Sequence, residues 1–233
     1  MIETHDLCAG YYGGLDILQG VSMQALPGRV TAVLGANGVG KSTLLKAIYG
    51  FLKPTGGSVL LDGKDITGTA PHRMNARGAV YAPQQPGIFA EMSVEENIML
   101  GGWNFRSDRA RVAGKLAENY GRFPMLQERR RSPARTLSGG QRRMVELARA
   151  LMSDPRYLLI DEPSAGVAPM VAAGVYRTIA GLRDAGVGIL LVDQDIRRAL
   201  SIADYVYVID LGRKRLESPP AAFDDIVAAF WSR

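Results

Sequence analysis

The chain has 233 residues, 47% hydrophobic and 22% charged, with a formal net charge of +5. That composition suits one large globular domain, or one domain with a smaller insert. A single cysteine, Cys8, excludes an intrachain disulfide and fits a reducing compartment. No segment reaches the roughly 18 apolar residues needed to span a bilayer, and residues 1–30 carry early acids and no signal-type apolar run. The expectation is a soluble, cytosolic protein that touches a membrane only through a partner.

In chain order, residues 1–8 and 15–26 read as strands around a Tyr11-Tyr12-Gly13-Gly14 turn, and Arg29–Leu34 as a β-rich run that ends in glycines. Lys41–Tyr49 carries helix formers and is stopped by Gly50 and Pro54. Ser58–Leu61 with Asp62-Gly63 reads as a strand and turn, and Gly78–Ala82 as a strand ended by Pro83. Residues 91–135 are Arg-rich and periodic at helical spacing, which predicts a helical insert into a core of about 1–90 and 136–233. Tyr157–Ile160 and Val187–Val192 are continuous apolar runs of the buried parallel-strand kind, with a helical pattern over Met170–Arg183 between them. Tyr205–Ile209 and Leu211-Gly212 predict a late hairpin, and Phe223–Trp231 an amphipathic helix packed on the domain. Strands alternating with helices predict an α/β domain with a largely parallel sheet.

Three strings carry chemistry. Gly35-Ala36-Asn37-Gly38-Val39-Gly40-Lys41-Ser42-Thr43 follows an apolar strand and opens a helix. In that context glycines let successive N–H groups wrap phosphate oxygens, the helix N-terminus adds about half a positive charge, Lys41 reaches the outer phosphates and Ser42 ligates Mg²⁺. Asp161-Glu162 ends a buried strand, the edge of an open α/β sheet where ligands bind. Asp161 is expected to hold the Mg²⁺ through water, and Glu162 to polarise the attacking water as general base. The third string, Leu137-Ser138-Gly139-Gly140-Gln141, opens a second helix whose apolar face is Met144, Val145, Leu147, Ala148 and Leu151, and its start offers N–H groups to an anion.

Leu137 stands 24 residues before Asp161. The phosphate loop, this second glycine turn and the acidic pair, in this order, resemble the motifs of ATP-binding cassette (ABC) ATPases, over essentially the whole chain. The resemblance implies a P-loop NTPase fold: a RecA-like core, an antiparallel β subdomain and the helical insert. It also implies a head-to-tail dimer with two MgATP at the interface, each between one subunit's phosphate loop and the other's signature, Leu137 to Gln141. An aromatic residue near a Tyr-Gly step stacks on adenine in this family; Tyr11 and Tyr12 both fit, and the count along the chain favours Tyr11. Gln84, in Ala82-Pro83-Gln84, matches the family's Mg²⁺ ligand and γ-phosphate sensor. This loop and the insert after it match its docking surface for membrane subunits.

Two positions depart from the commoner family pattern. The segment Ser164-Ala165-Gly166-Val167 lacks the usual acidic residue, so the inter-subunit contact it makes is not carried over. In Val192-Asp193-Gln194-Asp195 a glutamine replaces the switch histidine. Gln194 can donate to the γ-phosphate but takes up no proton. A glutamine there resembles the shorter ATPase subunit of branched-chain and hydrophobic amino-acid importers, as do Asp62-Gly63-Lys64-Asp65-Ile66-Thr67 and Met92-Ser93-Val94-Glu95-Glu96-Asn97. Cassettes for urea and short-chain amides look similar. The partners so implied are integral membrane permease subunits, a sister cassette ATPase or a second copy, and indirectly an external solute-binding protein.

Other features read as structural. Arg129-Arg130-Arg131 with Arg135 lacks interleaved aromatic residues and reads as a solvated helix end or docking contact, with no nucleic-acid role. His5 and His72 are isolated, and the methionines read as packing. A chromosome-type ATPase needs a long coiled coil between the glycine motifs, and only 93 residues separate Thr43 from Leu137. A soluble cassette acting in assembly is the remaining alternative.

Overall fold

The computed structural model describes residues 1–11, 15–85, 87–220 and 226–227. Tyr12 and most of the Phe223–Trp231 segment lie outside the described residues. The chain divides into two compact units, Met1–Tyr81 with Arg156–Glu162 and Tyr176–Arg233, and Ala82–Pro155 with Pro163–Val175.

The first unit holds most of the strands: β1 (Ile2–Ala9), β2 (Leu18–Ala25), β3 (Val30–Leu34), β4 (Gly56–Leu61), β5 (Lys64–Asp65), β6 (Ala79–Ala82), β7 (Tyr157–Asp161), β8 (Gly188–Asp193), β9 (Tyr205–Asp210) and β10 (Arg213–Ser218). They form two sheets, ordered β2-β1-β4-β5 and β10-β9-β3-β8-β7-β6. In the four-stranded sheet β1 pairs antiparallel with β2 and with β4, and β4 with β5. In the six-stranded sheet β3 runs parallel to β8 and β9, β7 runs parallel to β8, and the β9–β10 hairpin is antiparallel. Every residue of β3, β7 and β8 is buried. That explains their unbroken apolar sequence, because a parallel strand covered on both faces has no solvent side on which polar residues could alternate. Leu44, Leu45 and Ile48 of α1 (Lys41–Tyr49) join Val33, Leu159, Leu190 and Val192 in one apolar core. This clamps α1 against the strands whose C-terminal ends carry the acids. The short helices of this unit are α2 (Pro71–Met74) and α8 (Ile196–Leu200).

The second unit is helical: α3 (Val94–Met99), α4 (Arg109–Arg122), α5 (Pro124–Glu128) and α6 (Gly139–Leu151). The insert read over 91–135 falls within it. The helix α7 (Pro169–Asp184) begins in this unit and ends in the first. Ser93 caps α3 with a complete capping box through Glu96, which orders two otherwise unpaired N–H donors reciprocally. Two expectations fail here. Met99 and Met170, read as packing residues, are 41% and 88% exposed. On α6 Met144 is only half buried while Arg143 and Glu146 are buried, because the two charges neutralise each other inside. Among the described residues no helix is long and apolar enough to cross a membrane.

Candidate functional site

In the first unit the phosphate-loop residues 35–43 join the end of β3 to the start of α1. Gly40 is the N-cap of α1 at φ 112, a left-handed conformation that a side chain strains. No side chain caps this helix and no acid lies in its first turn, although the first N–H groups of a helix have no partner of their own. Lys41 folds back over the loop, and its Nζ donates to Gly35 O at 2.8 Å and Ala36 O at 2.9 Å. It is 4% exposed, and burial lowers its pKa against the opposing pull of Glu162, Asp193 and Asp161. Asn37 and Gly38 are exposed at the loop tip, whereas Gly35, Val39, Gly40 and Thr43 are buried. Ala36 and Ser42 are half-buried.

The C-terminal ends of β7 and β8 supply the acids. Ser42 Oγ donates to Asp161 Oδ1 at 3.0 Å, and the Tyr81 hydroxyl donates to Asp161 Oδ2 at 3.1 Å. Glu162 Oε1 lies 3.7 Å from Lys41 Nζ. The Glu162 backbone sits at φ 41, held there by its N–H donating to Val192 O at 2.9 Å. A non-glycine residue at positive φ is uncommon and strained. Asp193 is buried, takes a hydrogen bond from the Tyr176 hydroxyl, and accepts the backbone N–H groups of Gln194 at 2.8 Å and Asp195 at 3.0 Å. Burial raises its pKa. Gln194 itself is exposed beside this acid.

These groups fit a triphosphate with a hard cation. The uncapped helix start and the lysine offer positive charge to an anion. The Ser42 hydroxyl and Asp161 carboxylate offer oxygen ligands. Among the described residues no cluster of three His, Cys, Asp or Glu could cage a metal. Of the two tyrosine candidates, Tyr11 is 47% exposed, and Lys46 Nζ of α1 lies 5.4 Å above its ring.

The second unit carries Gln84 and the signature. Ser138 is the N-cap of α6, and its hydroxyl accepts the Gln141 N–H while Gln141 Oε1 accepts the Ser138 N–H. This capping box takes up the N–H groups of Ser138 and Gln141. A Cβ on Gly140 would lie 2.1 Å from Val171 Cγ1, so only glycine lets α7 approach so closely. Leu137 is buried. Gln84, Gly139, Arg142 and Gly166 line a cavity of about 250 Å³.

A model of the ABC transporter family matches residues 18–165. The chain belongs to the ABC transporter ATP-binding family. The cassette is 36% identical to a high-affinity branched-chain amino acid transport ATP-binding protein, BraG, of Pseudomonas aeruginosa over 94% of this chain and 93% of that one. It is 39% identical to a probable branched-chain amino acid transport ATP-binding protein, LivF, of Archaeoglobus fulgidus over 91% and 89%. It is also 34% identical to the lipopolysaccharide export system ATP-binding protein LptB of Escherichia coli over 86% and 83%. A solved nucleotide-free cassette from an ABC transporter superposes with a TM-score of 0.89 at 30% identity, covering 98% of this chain and 95% of that one. The P-loop ABC ATPase fold and ATP hydrolysis follow with the family.

The site holds residues that the motifs do not point to. Tyr81 sits on Asp161, and Asp193 lies in the field of Lys41. In the second unit Arg143 donates to Pro163 O at 3.0 Å and Pro83 O at 2.5 Å, and pairs with Glu146. Only Asp193 had a sequence signal, its place beside Gln194 at the end of an apolar strand.

Proposed function

We propose that this cassette hydrolyses MgATP at Lys41, Ser42, Asp161 and Glu162 to drive import of branched-chain or other hydrophobic amino acids through membrane permease subunits. The observation that carries the chemistry is the convergence of Ser42 on Asp161 at 3.0 Å and Lys41 on Glu162 at 3.7 Å, at one edge of the parallel sheet. In this reading Lys41 releases its two loop carbonyls to bind the outer phosphates, and the N–H groups at the start of α1 hold the rest. Ser42 and Asp161 hold the cation. Glu162 takes a proton from the attacking water, and Gln194 donates to the γ-phosphate. Bound Mg²⁺ supplies positive charge at the reacting phosphoryl group.

In the same proposal Gln84 keeps the role that the family resemblance gives it, Tyr11 or Tyr12 stacks on adenine, and Leu137 to Gln141 contact the nucleotide of a partner cassette. The amino-acid assignment is supported by the two transport ATPases similar over most of both chains and by glutamine at 194. Similarity to the lipopolysaccharide export ATPase favours a second reading, transport of a lipid.

The chemistry is tested by Glu162→Gln, which should still bind ATP and turn over at least ~100-fold more slowly, the scale of losing a general base. Near-wild-type turnover would remove Glu162 from that role. For the partners, the tagged chain should be crosslinked in its native membranes. Two multi-spanning subunits with a second cassette would support import, and amino-acid uptake would follow as the assay. Only soluble partners would overturn the transport reading.

A further inference from the structure

We infer that Tyr81 is a positioning residue for the cation site, an inference that rests on the proposed role of Asp161. Asp161 is 2% exposed, and its two oxygens are addressed by different donors. Ser42 donates to Oδ1, and the Tyr81 hydroxyl donates to Oδ2. With one oxygen fixed by a neutral phenol, the carboxylate cannot rotate freely, and the oxygen beside Ser42 stays aimed toward the start of α1. The phenol donates without adding charge, so the carboxylate keeps its negative charge for a cation.

The Tyr81 ring is itself held. It packs 5.6 Å from the Tyr49 ring and 5.4 Å edge-on to the Phe51 ring. Tyr49 ends the helix that begins with Lys41 and Ser42. One helix thus supplies a cation ligand at its first turn and a seat for the orienting phenol at its last. Outer partners of this kind commonly change metal affinity by about 10- to 100-fold when removed.

The test uses the full chain and its Tyr81→Phe variant, which keeps the ring and deletes the hydroxyl. Mn²⁺ affinity of the AMP-PNP complex is measured by electron paramagnetic resonance, and AMP-PNP affinity in EDTA by calorimetry. Tyr81→Phe should weaken Mn²⁺ by about 10-fold or more and leave affinity in EDTA within about twofold. Phe51→Leu, which loosens the ring's seat but keeps the hydroxyl, should lose less Mn²⁺ affinity than Tyr81→Phe and stay within about twofold in EDTA. Mn²⁺ affinity unchanged in Tyr81→Phe, or lost equally in Phe51→Leu, overturns the inference. So does a fall in EDTA affinity that parallels the loss of Mn²⁺. Tyr81→Met gives a second deletion of the hydroxyl should the first variant melt early. Asp161→Asn separates the two claims: if it leaves Mn²⁺ affinity intact, the reading of the cation site fails, and if it weakens Mn²⁺ while Tyr81→Phe does not, the inference alone fails.

Discussion

Helices α1 and α6 both start at glycine-rich strings, and their starts are opposite in construction. The first has a glycine N-cap, no capping side chain and no acid in its first turn. The second has a serine N-cap closed by a full capping box. A start that its own sequence leaves bare depends on an anion from outside for its N–H groups and dipole. A start that its own sequence closes is formed before any ligand arrives. The same contrast runs through the charges. Lys41 is buried among acids to which the proposed chemistry gives a ligand, whereas Arg143 is buried on Glu146 and two backbone carbonyls.

Four substitutions bear on the contrast. Arg143→Met strands Glu146, a buried carboxylate whose pKa burial already raises. Chemical denaturation should show a loss of about 3–5 kcal/mol, and adding Glu146→Leu should recover much of it. A loss that persists in the double variant would show that the arginine matters through the carbonyls of Pro83 and Pro163. Lys41→Ala should weaken ATP binding by roughly 10- to 100-fold, the loss of a charged hydrogen bond, and unchanged affinity in a nucleotide titration would contradict the phosphate loop. Ser138→Ala opens the capping box and should cost about 1 kcal/mol in the same denaturation assay, with ATP affinity of the lone subunit unaltered.

Much of this was legible in the sequence, for reasons that differ by residue. Lys41–Tyr49 is bounded as read, because the phosphate loop and Gly50 punctuate it locally. The buried strands around Leu158 and Leu190 announce themselves by unbroken apolar runs. The Tyr81 hydrogen bond spans 80 residues of sequence, and no local pattern encodes which hydroxyl meets which acid. Arg143 and Glu146 stand three apart on a helix, a spacing that reads as a solvent-facing ion pair. Their burial depends on the chain segments at Pro83 and Pro163 that fold over them, far away in sequence.

The left-handed backbone at Glu162 makes that position answer two separate questions under substitution. Glycine and asparagine suit the turn and lack the carboxylate, so they report on chemistry with the backbone at ease. Valine and isoleucine add a steric conflict of their own. A survey of replacements at this one codon therefore sorts into silent folds and broken folds, and the boundary between them follows backbone geometry, not charge.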